Sequence, residues 1–372
     1  ENTSSIEAGF EAAFWDNRLY LDFTYYKTDS RNQILKLATT AASGYTSQVR
    51  NAGHIRNRGY EIQLGAVPIQ TSKGFRWNLD LNYGANSSKV VKLDDEGLIT
   101  SYQLYSSGIQ ILASVGEAYG TLFGTSYVRD ANGNVVVDAN GLPKISTTNK
   151  TLGKFTPDWT GGISNTFSYR SLSLSFLIDA SVGGSIFSNT NKTGKYTGVL
   201  ANTLSGRDAE HGGLWYYTDA MGNNVRLSES PSYSVSSDGL YYAQVNGQST
   251  RVYQDGIMVE GVTESGSKNE EVVSAEKYYH RIYSIAEDNV YDASYEKLRE
   301  VALSYRLPRL WTQKLHLQEA SVTLTGRNLW TIYKSVPNID PESALTTGNA
   351  QGVEAYSLPT TRSFGVNLSV KF

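Results

Sequence analysis

Hydrophobic and polar positions alternate along several segments of this chain with the two-residue period of an extended strand. In the last ten residues Phe364, Val366, Leu368, Val370 and Phe372 fall on one face, and Ser363, Gly365, Asn367, Ser369 and Lys371 on the other. About ten residues is the length a tilted strand needs to cross a bilayer core. A soluble sandwich strand could alternate in the same way, so the other segments decide.

They repeat the pattern. Ile6 to Phe14 alternates, a four-residue turn Trp15–Arg18 follows, and Leu19, Leu21, Phe23 and Tyr25 resume, predicting a hairpin. Tyr60, Ile62, Leu64 and Ala66 pair with Phe75, Trp77, Leu79, Leu81 and Tyr83 through a turn from Pro68 to Gly74. Trp159 to Tyr169 pairs with Leu172, Leu174, Phe176 and Ile178 across Arg170-Ser171, and Val301 to Leu307 pairs with Ala320, Val322 and Leu324 through residues 308–319. With the last segment, nine strands are predicted. The stretches at about Thr28–Arg56, Ala85–Pro157, Gly183–Asp292 and Thr331–Pro359 read as long connections, several of them longer than compact soluble domains usually carry.

Short and long connections thus alternate, as they do between the two ends of an outer-membrane barrel. Phe14, Trp15, Phe75, Trp77, Tyr169, Tyr305 and Trp311 gather at the short turns, where an interfacial aromatic belt belongs. The fold class that follows is all-β: an antiparallel transmembrane β-barrel with short periplasmic turns and long extracellular loops. Charges such as Glu61, Arg76, Asp80, Arg306, Arg327 and Lys371 fall on the polar face, where a wet lumen leaves them solvated or in contact with a plug. Nine strands leave two open edges, which lipid does not tolerate. The chain is therefore expected to be the C-terminal portion of a larger barrel over residues 1–372.

Composition fits without deciding. Among 372 residues there are 26 Tyr, 6 Trp and 34 Gly, and mean hydropathy is −0.36, compatible with strands whose alternation dilutes hydropathy. A net charge of −3 with no long basic run argues against a nucleic-acid partner. The absence of Cys excludes disulfides and thiolate chemistry.

From Val290 onward the wording becomes that of a known family. Residues 290–301 (Val-Tyr-Asp-Ala-Ser-Tyr-Glu-Lys-Leu-Arg-Glu-Val), Gly326-Arg327-Asn328-Leu329-Trp330, Val336 to Glu342 and Leu358 to Gly365 resemble signatures of the SusC/RagA-type TonB-dependent outer-membrane transporters. Asn51-Ala52-Gly53, Asn57 to Glu61 and Leu204 to Asp208 are similar to further family segments. The resemblance implies a 22-strand barrel of which these are the last nine strands, with a plug and TonB box upstream. It implies a SusD-like surface lipoprotein as partner, TonB as energy source, and import of oligosaccharides, or peptides in some members. The terminal row ending in Phe372 resembles the sorting signal of outer-membrane assembly.

Candidate chemistry is sparse. Asp130-Ala131-Asn132-Gly133-Asn134 begins like a Ca²⁺ loop, but Gly141 stands where the bidentate Glu is required. A small hairpin through Val135–Val137 is the better reading, and no metal or cofactor is expected. His54, His211, His280 and His316 show no ligand spacing and read as loop or turn residues. No nucleophile elbow or dinucleotide fingerprint occurs, so no enzyme is expected. The best binding candidates are aromatics of the longest loop, Trp215, Tyr216, Tyr217, Tyr241, Tyr242, Tyr278 and Tyr279, with Arg207, Asp219 and Asp255 as polar neighbours. Such rings stack on sugar C–H faces. They also pack loops together or against a partner protein, and both readings stand. A TonB-driven nutrient transporter leads; a passive porin or a barrel-anchored receptor or adhesin are the alternatives.

Overall fold

A computed structural model describes residues 1–38, 42, 44–45, 47–314 and 316–372. Nine long strands form one antiparallel meander in which each strand pairs with its neighbours in sequence. They are β1 (Asn2–Phe14), β2 (Leu19–Ala38), β3 (Ser47–Gln70), β4 (Phe75–Lys92), β5 (Trp159–Tyr169), β6 (Leu172–Val182), β7 (Tyr295–Arg306), β8 (Glu319–Lys334) and β9 (Ser363–Lys371). Among the described residues β1 pairs only with β2 and β9 only with β8, so the sheet is open at both sides.

Register carries the alternation across the whole sheet. Phe10 faces Phe23, Phe23 faces Ile62, and Ile62 faces Tyr83. Farther along, Leu303 faces Leu174 and Leu324, and Leu324 faces Val366. This face is exposed on inner strands too: Leu324 is 51% accessible and Leu303 40%. Two aromatic rows cross it. Trp77 stacks on Phe167 (5.6 Å) and Phe167 on Phe176 (6.2 Å) near the short turns; Tyr60, Tyr83 and Trp159 form the other row at 5.9 and 5.4 Å. Roughly 20 Å of strand at ~3.3 Å per residue separates Trp77 from Tyr83.

Predicted boundaries are corrected at several points; β4, for one, runs on to Lys92, into the stretch read as a long connection from about Ala85. The polar stretch at Thr28–Arg56 is mostly strand: β2 continues to Ala38 and β3 begins at Ser47, pairing Thr28 with Asn57 and Arg31 with His54. Polar residues occupy both faces there, so the alternation fades although the ladder continues. His54 accordingly sits in a strand rather than a loop. Pro68 does not open the turn; it lies in an irregularity of β3 between Ala66 and Ile69, where a missing N–H is tolerated. The Arg18 guanidinium donates to the carbonyls of Val67 (2.9 Å) and Pro68 (3.2 Å), tying the first short turn to this bulge. Gly59 is needed on β3 because a Cβ there would come within 2.3 Å of the Ala85 carbonyl and 2.6 Å of the Tyr26 hydroxyl.

The dry cores lie in the long connections. Residues 93–158 hold a four-stranded sheet (Ser101–Ser106, Gln110–Ser114, Tyr119–Gly124, Lys150–Lys154). Residues 183–294 hold a six-stranded one built around Leu214–Thr218 and Gln248–Ile257, with helices α1 (Asn189–Thr197) and α2 (Ala275–Tyr283). Ile111, Leu122, Phe187 and Val353 are fully buried in one shared cluster, which joins three of the connections into a single assembly.

Candidate functional site

Within that assembly lies a cavity of about 680 Å³, walled by α2, the last turn of α1 and the end of strand Gln248–Ile257. Helix α1 begins at Ser188, whose side chain accepts from the Asn191 N–H, and ends at Gly198 in the left-handed region. Its last turn aims Lys195 at Asp288, reaching the carboxylate at 2.5 Å and the backbone carbonyl at 2.8 Å. Helix α2 is capped by Ser274 and brings Tyr278, Tyr279 and Ile282 to the cavity wall. The Tyr127 hydroxyl donates to Asp288 at 2.7 Å, and the Tyr279 hydroxyl reaches the carbonyls of Asn202 and Ser205 at 3.0 and 3.2 Å.

Burial alone would lower the Lys195 ammonium, but the Asp288 carboxylate beside it overrides this and leaves it above its ordinary value. Burial and then Asp288 push the Tyr278 phenol up to about 12, and raise Tyr127 in the same direction. The wall at neutral pH is therefore an ion pair flanked by neutral phenols, and Met258, Val259 and Glu260 also line the cavity. Such a site can take a polar ligand of mixed charge. Among the described residues no three His, Cys, Asp or Glu side chains converge as a metal site.

The predicted aromatics divide into two groups. Tyr278 and Tyr279 meet at the cavity, 5.2 Å apart. Trp215, Tyr217 and Tyr241 pack in the core of the six-stranded sheet, with Trp215 only 8% accessible between Tyr233 (5.1 Å, stacked) and the edge of Tyr241 (5.8 Å). Tyr216 is 4% accessible, stacks on Tyr253 and donates to Asp255 at 3.2 Å. Burial raises the Asp255 carboxyl, so that phenol contact shields a reluctant anion. Tyr242 pairs with Ser234 and Arg251 in the same sheet, half-buried. Arg207 is spent on the Gly198 carbonyl and the Thr203 hydroxyl, closing α1. Asp219 accepts from the N–H groups of Met221 and Asn223 in an exposed turn. Asp130 does the same for Asn132 and Asn134, within a hairpin bridged at Arg129 and Val135. His211 contacts Asp208, and His280, which lies on helix α2 rather than in a loop, stacks on Tyr196.

A second constellation escaped the sequence reading. Lys297 on β7, 2% accessible, reaches Asp340 and Glu342 at 2.6 Å each, and Arg299 bridges Glu342 (2.5 Å) and Asp179 on β6 (2.8 Å). Asp340 also accepts from the N–H and hydroxyl of Thr360. Burial would raise Asp340, yet the Lys297 ammonium and Thr360 hydroxyl hold it at about 2. The three motif-bearing segments around Lys297, Asp340 and Thr360 thus meet in one charged knot that fixes the last long connection to the sheet. Lys297 and Thr360 stand 43 and 20 positions from Asp340 in the chain, so only the motifs themselves hinted at a shared task.

In the terminal strand Phe364, Val366, Leu368, Val370 and Phe372 keep the exposed apolar face. Comparison with known proteins agrees with the architecture. A family model described as TonB dependent receptor-like, beta-barrel, matches residues 1–197. TonB-dependent receptor P3 of Formosa agariphila is 26% identical over 401 residues, covering 100% of this chain and 34% of that protein. TonB-dependent receptor P26 of the same organism is 24% identical over 400 residues with the same coverage. The chain spans about a third of the length of these relatives. Among solved structures, the RagAB peptide transporter aligns at a TM-score of 0.61 with 19% identity, over 100% of this chain and 35% of that one. The RagAB peptide importer in its closed-closed state aligns at 0.63, also at 19% identity and with the same coverage. At that identity the likeness is one of fold.

Proposed function

We propose a function from one premise: the chain belongs to the TonB dependent receptor-like, β-barrel family, in its SusC/RagA-like part, and its strands lie in the bacterial outer membrane. The complete protein imports an oligomeric nutrient with energy relayed by TonB. This chain supplies the C-terminal wall of its barrel and much of its external loop assembly, and the open edges at β1 and β9 are closed by further strands. Above the barrel a SusD-like lipoprotein covers the loops and hands over the cargo. The observation that carries this reading is the sheet itself: an apolar face that stays exposed on its inner strands at Leu81, Leu174, Leu303 and Leu324, backed by polar residues, with the dry cores of the described residues gathered in the long connections. A protein made to be soluble hides its large apolar side chains; this one presents them to a hydrocarbon solvent.

Cells carrying the full-length protein test it. Cargo should bind at the surface whether or not the inner-membrane proton gradient is intact, while uptake should stop when the gradient is collapsed. Uptake that continues without the gradient would replace the transporter with a passive porin. Binding without any uptake would leave a receptor.

Of the two cargo classes, oligosaccharide and peptide, the cavity favours peptide. The aromatic faces a sugar would stack on are covered at Trp215 and Tyr216, whereas the cavity offers an ion pair, Glu260 and a run of backbone at Gly256–Glu260. The RagAB structures are of a peptide transporter. Competition between labelled peptides and labelled oligosaccharides for the full-length protein separates the classes; oligosaccharide alone displacing the label would reverse the preference.

A further inference from the structure

The outward face of β2, β3 and β4 does not end at its aromatic row. Register extends it toward the long connections without a break: Tyr25 pairs with Tyr60, then Lys27 with Arg58, Asp29 with Arg56, and Arg31 with His54. On the other side of β3, Arg58 pairs with Ser87 and Arg56 with Lys89. Because side chains of a strand alternate, Lys27, Arg31, Arg56, Arg58 and Lys89 all stand on the same face as Phe23, Ile62 and Tyr83. The first cationic row begins two residues, roughly 7 Å, beyond Tyr25 and Tyr60.

Two features make this belt unusual. Lys27 lies directly opposite Arg58, and Arg56 directly opposite Lys89, and like charges so placed repel across a sheet. Asp29, the one acid on that face of β2, β3 and β4 among the described residues, is already taken by Arg56 at 2.8 Å and His54 at 2.5 Å. Among the described residues Lys27, Arg31, Arg58 and Lys89 form no ion pair. A face that packs four unneutralised cations against each other, immediately above rings at the hydrocarbon boundary, is complementary to a dense layer of anions at headgroup depth.

We propose that this belt is a docking site for the phosphorylated headgroup of a lipid in the outer leaflet, with Arg58 and Lys27 as the lower clamp and Lys89, Arg56 and Arg31 as the upper one. The proposal rests on the outer-membrane placement of the sheet but not on transport. The phosphate oxygens take the place of the missing carboxylates, and the arginines offer forked donors to them. The lipid's chains then lie along the apolar rows below, continuous with the same face.

The test uses the full-length protein extracted with native lipids in a mild neutral detergent. Lys27→Gln, Arg58→Gln and Lys89→Gln are combined in one variant; Lys144→Gln, Arg226→Gln and Lys268→Gln, three cations of the loops, form the control. Retained lipid phosphate should fall on the order of tenfold or more in the belt variant, since each cation near an anionic surface contributes about fivefold, and stay unchanged in the control. Lipid stripped of its phosphates should fail to rebind the native protein, and millimolar inorganic phosphate should not substitute for it. A second readout guards against misfolding: in lipid-free neutral detergent the belt variant should melt no lower than the native protein, because the substitutions relieve repulsion. Equal retention by the belt variant, or equal rebinding of dephosphorylated lipid, would overturn the proposal. So would loss of a co-purifying acidic protein with lipid retention intact, which would turn the belt toward a protein partner instead.

Discussion

The strand sheet and the loop assembly are built on opposite rules within one chain. In the sheet large apolar side chains stay exposed even on strands with a neighbour on either side, among them Leu324 at 51% and Leu303 at 40%. In the loop assembly the core side chains are hidden instead, with Ile111, Leu122, Phe187 and Val353 at 0%. The sheet is held by continuous ladders and by a lipid solvent that costs its apolar face nothing. The loops are held by burial from water, as in any soluble domain. An alternating pattern with no partner layer marks the first environment, and apolar residues converging from distant segments mark the second.

The sharpest way to break that contrast is to hollow a loop core. Phe187→Ala should cost about 3–5 kcal/mol locally, because the ring sits among Ile109, Ile111, Leu122 and Val353. Hydrogen exchange should speed up across the loop sheets while the nine-stranded ladder keeps its protection. Trp215→Ala should do the same within the six-stranded sheet, where the indole is wedged between Tyr233 and Tyr241. If it instead removed cargo binding with loop protection intact, Trp215 would belong to a site and not to a core. The complementary change on the sheet is Leu81→Arg. On the apolar face, between the two aromatic rows, it should cost about 2–4 kcal/mol in refolding into bilayers. Asn82→Arg, one residue on and facing the other way, should stay within about 0.5 kcal/mol. Equal penalties would mean the two faces do not see different solvents.

The join between the regions gives a smaller, pH-dependent effect. Asp340 is held at about 2, below the ~4 of a free carboxyl. A depressed carboxyl contributes stability that is complete above its unfolded value and is lost as pH falls through the folded one. The knot with Lys297 and Thr360 should therefore keep its contribution, about 2 kcal/mol, down to about pH 4 and lose it toward about pH 2. Proteolytic nicking of the last connection, measured with an acid-active protease, should rise across that window. Asp340→Asn should flatten the rise; a rise that survives the substitution would assign it to another group.

The same contrast explains what could be read without coordinates. Strand number, the turns at Trp15–Arg18 and Arg170-Ser171, and the short–long rhythm were legible because one lipid face imposes a strict period on local sequence. The upper reaches of β2 and β3 were not, since Thr28, Asp29, Ser30 and Arg31 meet polar surroundings on both sides and the period carries no contrast. Tyr278 and Tyr279 were legible as binding candidates by residue type. Whether a ring presents its face is a tertiary fact, and Trp215 shows that abundance of aromatics does not foretell it. The Lys297–Asp340 knot had no local signal beyond its motifs, for its charges come from separate strands and connections.

The smallest test concerns a loop turn whose appearance invites a metal. Asp130 accepts from the N–H groups of Asn132 and Asn134 at 2.9 and 2.8 Å and from the Asn134 amide at 3.0 Å. These contacts hold its carboxyl below the ordinary value, the Asn134 amide foremost. A carboxylate that bends inward over its own turn is engaged by donors of the chain, as an Asx turn requires, and Asp138 and Asp219 repeat the arrangement. Asp130→Asn keeps an acceptor oxygen and should cost less than about 1 kcal/mol, visible only as faster amide exchange at Asn132 and Asn134. Chelation of divalent cations should leave those two amides unchanged in the native protein. Exchange that accelerates with chelator and is restored by Ca²⁺ would show that the turn is organised by an ion, and would move this loop from the self-contained class to one that depends on what the medium supplies.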